Sequence, residues 1–188
     1  MKQIDKRQQL VNTALKLFYK KGIHAVGINE ILVESGVAKK TLYHHFTSKE
    51  ALIQACIAER DHSFMTWFIQ KCNDNSSTEI FIKQVFDALD EWINDKSVVL
   101  GSFSGCFFVN SAAEYSDHQN EIKKLCLQHK THIKHFFEQQ LEPLIPDKNQ
   151  LNSLVGLLLL LKEGCINCAH VMGDKQSALK AKALALVF

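Results

Sequence analysis

Residues 22–50 read GIHAVGINEILVESGVAKKTLYHHFTSKE. Within this stretch, apolar residues at helical spacing predict a short helix over residues 28–34. Gly36 follows, where a glycine can take a positive φ and end that helix. A second short helix is predicted over residues 39–45. Two short helices joined by a tight glycine turn are typical of a helix-turn-helix, whose second helix enters the major groove of DNA.

The second predicted helix has two chemically different faces. Ala38, Leu42 and Phe46 recur every fourth residue, so they share one face and are expected to pack inward. The opposite face carries two lysines and two rings with hydrogen-bonding groups, which suit phosphates and base edges. A solvated face on a short helix is the alternative interpretation. The residues predicted to contact DNA are Asn29, Lys39, Lys40, Thr41, Tyr43, His44 and Lys49.

The same stretch resembles the DNA-binding end of TetR/AcrR-family transcriptional repressors. The run GVAKKTLYHHFTSKEAL, residues 36–52, carries most of the resemblance, together with Gly22 and Ile31. The resemblance implies a helix-turn-helix DNA-binding domain over residues 1–50 and a ligand-binding and dimerisation domain over residues 51–188. It also implies repression of transcription that a small-molecule inducer relieves.

Two positions depart from the family pattern. The family often has Ser or Thr at the start of the first helix of the motif, where the hydroxyl caps the helix and reaches a phosphate, whereas this chain has Gly27. The family often has Gly where this chain has Lys40, so one more cation faces the groove. Downstream, Thr47-x-x-Glu50 predicts a capping box. Lys49 then falls in the first turn of a long helix, where it could bind a phosphate.

The composition predicts an all-α protein of about nine helices. The two prolines stand in one loop, EPLIPDKN, and apolar residues recur at helical spacing through most of the remaining chain. No run of about 18 apolar residues and no apolar N-terminal core occurs, so neither a transmembrane helix nor a signal peptide is expected. We therefore expect a cytoplasmic protein whose six cysteines are reduced.

Charge is distributed unevenly along the chain. Residues 1–50 hold nine Lys and Arg against four Asp and Glu, whereas the remainder holds thirteen against sixteen. A basic N-terminal segment on a mildly acidic body favours DNA contact by that segment alone.

The last two predicted helices are apolar on more than one face. The first, predicted over residues 150–172, contains the run LVGLLLLL, and the second is predicted to follow Asp174 and to reach Phe188. One apolar face can pack within the chain, but the other needs a partner. The resemblance implies a homodimer through these two helices. A symmetric pair of recognition helices would then read a palindromic operator.

The body contains the candidates for a ligand pocket. The segment GCFFVNSAAEY, residues 105–115, places Cys106, Asn110 and Glu114 on one helical face. This spacing is similar to that of a family subgroup in which some members sense electrophiles through a cysteine. The alternative is an inert thiol and a locally paired Glu114. The predicted pocket residues are Trp67, Phe68, Phe86, Cys106, Phe107, Asn110, Glu114 and His129.

Two further patterns suggest metal or redox chemistry but lack the full set of ligands. Cys165 and Cys168 form a C-x-x-C pair near His170, but no second cysteine pair supplies the remaining zinc ligands. His132 and His135 are expected to be solvated, and no metal or cofactor is predicted. A Gly-rich phosphate loop, H-E-x-x-H and G-x-S-x-G are all missing from the sequence, so no enzymatic activity is expected.

Together these patterns predict a ligand-responsive DNA-binding repressor. It binds a palindromic operator as a homodimer and is released by a small apolar or electrophilic inducer. A thiol-based electrophile sensor that uses Cys106 is one alternative. A helical small-molecule-binding module or enzyme without DNA function is the alternative from another class, and Gly27 is the feature that hints at it.

Overall fold

The computed structural model describes residues 5–117 and 120–187. Within these residues the chain forms nine helices and no strand, which confirms the predicted all-α fold. The far end of the last predicted helix, at Phe188, lies outside the described residues. In chain order the helices are α1 Lys6–Lys21, α2 Ile28–Ser35, α3 Lys39–His45, α4 Lys49–Lys71, α5 Thr78–Ile93, α6 Phe107–Ala113, α7 Glu121–Leu141, α8 Lys148–Met172 and α9 Ser177–Ala185.

The chain forms two compact units whose bounds differ from the two predicted segments. The first unit comprises Met1–His62 and Phe107–His129, and the second comprises Ser63–Cys106 and Lys130–Phe188. Helix α4 therefore contributes residues to both units. The first unit also takes in α6 and the start of α7, which no local sequence pattern could assign to the N-terminal helices.

The first unit packs α2 and α3 against α1. Asp5 caps α1, because its side-chain Oδ1 accepts a hydrogen bond from the Arg7 backbone N–H at 2.9 Å. The apolar side chains of α1 form one buried stripe, in which Leu17 is half-buried. The core of the three helices consists of Leu10, Val11, Ala14, Phe18, Ile23, Val26, Ile31, Val37, Leu42 and Phe46.

Helix α4 is capped by a different residue from the one predicted. The Ser48 side-chain Oγ accepts a hydrogen bond from the Ala51 backbone N–H at 3.1 Å, whereas Thr47 is exposed. The predicted capping box at Thr47 is therefore wrong by one position. Two adjacent hydroxyl residues are equally good caps, and the choice depends on where Phe46, whose backbone is extended, turns the chain.

The second unit is built around α5, α8 and α9, which pack against one another. Ser77 caps α5, because its side-chain Oγ accepts a hydrogen bond from the Ile80 backbone N–H, and α8 ends as predicted just before Gly173. The prediction for α9 is wrong at its start, since Gln176 rather than Asp174 precedes the helix. The Asp174 carboxylate instead accepts hydrogen bonds from the Gln176 backbone N–H at 3.1 Å and from Lys180 Nζ at 2.7 Å.

Helix α8 has one buried side and one apolar exposed side. Its inner face includes Leu151, Leu154 and Leu158, all buried in the second unit. Its outer face runs along Gly156, Leu157, Leu160, Gly164 and Val171. Among the described residues, α8 alone is long and apolar enough to cross a membrane, a test that the core helix of a globular protein also passes.

Candidate DNA interface

The turn between α2 and α3 sets the angle of the predicted recognition helix. Gly36 takes φ 65° and its N–H donates to the Leu32 carbonyl, which ends α2 as predicted. Gln9 of α1 fixes this turn from outside, because its Nε2 donates to the Ser35 carbonyl at 2.7 Å. The Val37 N–H donates to Ser35 Oγ at 3.3 Å. The turn is therefore held from both the first helix and its own side chains.

The inner face of α3 is anchored by two of the three residues predicted to pack inward. Leu42 is fully buried and Phe46 nearly so, with the Arg7 guanidinium 5.2 Å from the Phe46 ring centroid. The prediction for Ala38 is wrong, since Ala38 is exposed. Ala38 is the N-cap residue with extended backbone, φ −64° and ψ 145°, so it does not follow the helical periodicity of the residues after it.

The outer face of α3 presents cationic and hydrogen-bonding groups to solvent. Lys39, Lys40 and His44 are exposed, Tyr43 is 46% exposed, and Thr41 is half-buried beside them. Within the described part of the chain, the two ammonium groups and the Tyr43 hydroxyl form no hydrogen bond or ion pair. Two uncompensated positive charges on one exposed helix face can attract phosphate groups, and the hydroxyl can contact a base edge or a phosphate.

The start of α2 offers fewer groups for DNA contact than the start of α3. Asn29 is exposed in the first turn of α2, where the structure places it beside Glu30. Gly27 is the N-cap residue and provides no side-chain hydrogen bond. Lys21 Nζ lies 2.6 Å from Glu30 Oε1, and this pair raises the pKa of Lys21 through the hydrogen bond and the charge of Glu30. Lys21 is thereby engaged within the protein, and Asn29 is left at the surface.

Lys49 is held inside the first unit rather than standing free. Its Nζ donates to the Ile23 carbonyl at 2.8 Å and lies 5.9 Å from the Phe18 ring centroid. Partial burial lowers the pKa of Lys49, with the nearby charge of Glu114 opposing that effect. Lys49 does occupy the predicted first turn of α4, but its ammonium fixes the α1–α2 turn.

Glu114 holds the other side of the same turn, a role that sequence reasoning missed. Its Oε1 accepts a hydrogen bond from the Ile23 N–H at 2.7 Å, and its Oε2 accepts one from the His24 N–H at 2.6 Å. The His24 Nδ1 also lies 3.2 Å from Oε2. A Cβ on Gly22 would meet Oε1 at 3.3 Å, so the small residue at position 22 permits this close approach.

The predicted pocket residues are divided between the two units. Trp67, Phe68, Phe86 and Cys106 belong to the second unit. The remaining four, Phe107, Asn110, Glu114 and His129, belong to the first unit. A cavity of about 620 Å³ in the second unit, between α5, the α7–α8 loop, α8 and the end of α9, is lined by none of the eight.

His129 is buried in the first unit, as its position on an apolar stripe predicts. Its ring stacks on Phe108 with centroids 3.5 Å apart, and its Nδ1 lies 2.7 Å from Asp61 Oδ1. His132 and His135 of the same helix are exposed, as expected. His129 is thus a satisfied core histidine with one carboxylate partner.

The six cysteines are free thiols in different environments. Burial raises the pKa of Cys56, and it raises the pKa of Cys72 to about 12. Burial likewise raises the pKa of Cys165 to about 12, so Cys165 is poorly suited to metal or redox chemistry with Cys168. Cys106 differs from these, because the Lys130 ammonium lies 3.4 Å from its sulfur.

Comparison with known proteins assigns the N-terminal helices to a family. The profile of the family described as "Bacterial regulatory proteins, tetR family" matches residues 10–56, which cover α1 to the first part of α4. YxaF of Bacillus subtilis, an uncharacterized HTH-type transcriptional regulator, is 30% identical over 102 residues, 52% of this chain and 53% of YxaF. UidR of Escherichia coli K12, an HTH-type transcriptional regulator, is 27% identical over 94 residues, 50% of this chain and 48% of UidR.

The chain thus spans about half the length of the curated relatives it matches. The structural likeness extends much further along the chain. SCO4454, a TetR-family transcriptional regulator from Streptomyces coelicolor, superposes with a TM-score of 0.83 at 24% identity, over 97% of this chain and 94% of that one. At that identity the match shows a shared fold. The N-terminal sequence match and the shared all-helical fold agree: residues 10–56 carry the sequence of the TetR family of bacterial regulatory proteins, and the chain has the fold of a TetR-family regulator.

Proposed function

We propose that the chain is a homodimeric transcriptional repressor of the cytoplasm that binds a palindromic operator and is released by a small-molecule inducer. The exposed face of α3 carries this proposal. Lys39, Lys40 and Tyr43 stand free of intramolecular partners among the described residues, on a helix whose other face is buried. The names of YxaF and UidR, both HTH-type transcriptional regulators, support the same function.

The contacts with DNA follow from the chemistry of the exposed side chains. Lys39 and Lys40 bind phosphates and supply affinity that depends on salt. Tyr43 and His44 reach base edges from the middle and end of α3, and Thr41 contacts the backbone. Lys49 acts indirectly by fixing the α1–α2 turn, with any phosphate contact made through the N–H groups at the start of α4.

Two glycines support the dimer. Gly156 and Gly164 lie inside α8, and a Cβ built on either one meets no atom within 4 Å beyond the adjoining residues and the backbone of the helix itself. A glycine inside a helix costs about 1 kcal/mol relative to alanine, so packing within the protomer gives no reason for either residue. Close packing of a second copy of α8 on this face would explain why both positions are glycine. Leu160 lies between them and is 75% exposed.

A two-fold pair of α3 helices gives the symmetry of the operator. Each α3 of seven residues reads few base pairs, so specificity needs both protomers on half-sites about one helical turn apart. We propose that the inducer stabilises a dimer whose recognition helices are wrongly spaced for adjacent major grooves. The free energy of inducer binding would then oppose DNA binding.

The test is a gel shift of the purified protein on the DNA that flanks its own gene, without and with a saturating inducer. We expect a shifted band that the inducer removes. Retention of the band at saturating inducer would contradict release, and failure to bind any DNA would favour the helical binding module without DNA function. The variant Lys39→Ala/Lys40→Ala, with Lys83→Ala as a surface control, assigns the binding to α3.

A thiol sensor at Cys106 is the second candidate function, and the Lys130 ammonium 3.4 Å from the sulfur favours it. A cation beside a cysteine is the setting in which cysteines react with electrophiles. N-ethylmaleimide is a suitable probe, because the sulfur adds to its double bond and the displaced proton ends on the adjacent carbon. We expect this addition to release DNA from the unmodified protein, and a Cys106→Ser protein that is released equally well would exclude the sensor.

A further inference from the structure

Four polar side chains of the second unit form a continuous chain from the surface to the core. Lys130 Nζ lies 3.4 Å from Cys106 Sγ and 2.8 Å from each carboxylate oxygen of Glu163. Lys162 Nζ lies 2.9 Å from Glu163 Oε1. The Glu163 and Lys130 side chains are 38% and 30% exposed, whereas the Lys162 side chain is 1% exposed. One end of the chain is therefore accessible from outside and the other is buried.

The charges in this cluster do not balance. Two ammonium groups share the Glu163 carboxylate. Within the described residues, Lys130, Lys162 and Glu163 form ion pairs only with one another. Burial opposes ionisation of Glu163, but the charges of Lys162 and Lys130 outweigh it and lower the pKa of Glu163 to about 2. Among Lys130, Lys162 and Glu163, two ammonium groups and one carboxylate leave one excess positive charge. Excess charge in a buried site is costly unless an opposite charge accompanies it.

Lys162 marks where an anion would bind. Its ammonium has three N–H donors, and among the described residues its one hydrogen-bond acceptor is Glu163 Oε1. The centroid of the Phe64 ring lies 5.8 Å from the Lys162 ammonium. Buried donors are nearly always hydrogen-bonded, so an ammonium with donors to spare favours a ligand that brings acceptors. A carboxylate brings both acceptors and the compensating charge.

The Phe64 ring beside the ammonium belongs to a chain of aromatic contacts. Phe64 packs edge-to-face on Trp92 with centroids 5.4 Å apart, and Trp92 packs on Phe103 at 5.0 Å. Phe64 and Trp92 are buried. A buried ammonium beside aromatic rings matches a ligand with one negative charge and an apolar body.

We infer that the second unit binds a small monocarboxylate, with its carboxylate on Lys162 and its apolar body against Phe64 and Trp92. This inference rests on the proposed function only in treating such an acid as the inducer. It narrows the inducer from any small apolar or electrophilic compound to an organic acid.

The test is calorimetric titration of the full-length protein, without DNA, with benzoate, phenylacetate, indole-3-acetate and octanoate, each beside its neutral amide. We expect at least one acid to bind at least tenfold more tightly than its amide. The Lys162→Met variant should lose this preference. Equal binding of every acid and its amide by the unmodified protein would overturn the inference.

Two further variants keep the test decisive if Lys162→Met does not fold. Glu163→Gln removes the competing carboxylate from a partly exposed position, so it should strengthen binding of the acid and leave binding of the amide unchanged. Lys182→Met removes an ammonium paired with Asp87 elsewhere in the second unit and should change neither. If Glu163→Gln does not strengthen binding of the acid, Lys162 does not hold the carboxylate.

The two proposals fail in different experiments. An acid that binds through Lys162 but does not release DNA leaves the site intact and removes its role in induction. DNA release by a neutral compound, with no acid bound, leaves the repressor function intact and removes the acid site.

Discussion

At the scale of single residues, Lys40 gives the sharpest test of how α3 meets DNA. Its ammonium is exposed and has no partner within the described residues, which suits a phosphate contact. We expect Lys40→Ala to weaken binding to all sequences alike and to lower the slope of log affinity against log salt by about one. Fluorescence anisotropy over a range of salt concentrations measures this slope, with Lys83→Ala as the control.

A change in the preferred base at one operator position, with an unaltered salt slope, would show instead that Lys40 reads a base edge.

Gly27 is a position where the family's hydroxyl residue should fit without strain. Its φ of −89° and ψ of 159° are extended backbone, and no heavy atom lies within 4 Å of a Cβ built there. We expect Gly27→Ser to cap α2, to stabilise the protein by a few tenths of a kcal/mol and to tighten DNA binding by one phosphate contact. Thermal unfolding and anisotropy measure the two effects.

Gly27→Ala is the matched control, since it adds a Cβ without a capping oxygen. Serine and alanine variants that bind DNA equally tightly would show that the hydroxyl reaches no phosphate.

At the scale of helices, the helix-turn-helix could be predicted closely from local sequence. The bounds of α3 and the end of α2 at Gly36 agree with prediction, because each depends on a few adjacent residues. The predicted burial of Ala38 and the predicted capping box at Thr47 are wrong for the same reason, because both residues lie at helix boundaries. Periodicity does not apply to a cap residue, and neighbouring hydroxyl residues compete for the capping position.

The contacts of Glu114 could not be predicted in the same way. Its hydrogen bonds to the N–H groups of Ile23 and His24 join positions about 90 residues apart. The sequence pattern predicts Glu114 on one helical face with Cys106 and Asn110, and this prediction is wrong, because α6 spans only Phe107–Ala113 and leaves Cys106 and Glu114 outside it. The pattern also does not identify the partner of Glu114. The same holds for Gln9, whose amide holds the α2–α3 turn.

Glu114 should contribute substantially to the stability of the first unit. Hydrogen bonds to charged groups are worth about 1.5–3 kcal/mol each, so we expect Glu114→Ala to lower the free energy of unfolding by about 2–4 kcal/mol. Glu114→Gln keeps one acceptor oxygen and should lose less. Urea denaturation measures both values, and Glu121→Ala, which breaks an exposed pair with Lys124, should cost less than 1 kcal/mol.

A loss from Glu114→Ala no larger than that from Glu121→Ala would show that water replaces the carboxylate at the turn.

At the scale of the whole molecule, the outer face of α8 tests the dimer. Gly164 has open space around its Cβ position in the protomer, so Gly164→Leu should leave the protomer folded. If this face meets a second copy, the leucine prevents close approach of the helices, and we expect at least a tenfold weaker dimer by analytical ultracentrifugation. Gln70→Leu, on the exposed side of α4, is the control for added apolar surface.

A Gly164→Leu protein that dimerises as tightly as the unmodified one would place the interface elsewhere.

The sequence predicts that the last two helices are apolar on more than one face, because hydrophobic patterning shows how much apolar surface a chain must bury. The pattern could not show which face of α8 the chain covers itself. That depends on α5 and α9, which pack on Leu154 and its buried neighbours and leave Leu160 outside.

The two glycines of α8 have a consequence for how the protein responds to its own abundance. Each makes the isolated helix less stable, and in the proposed dimer a second copy returns that free energy, so folding and pairing would share one equilibrium. The melting temperature should then rise with protein concentration. In a cell, scarce copies of such a protein unfold and are degraded more readily than abundant ones, which makes its level self-reinforcing.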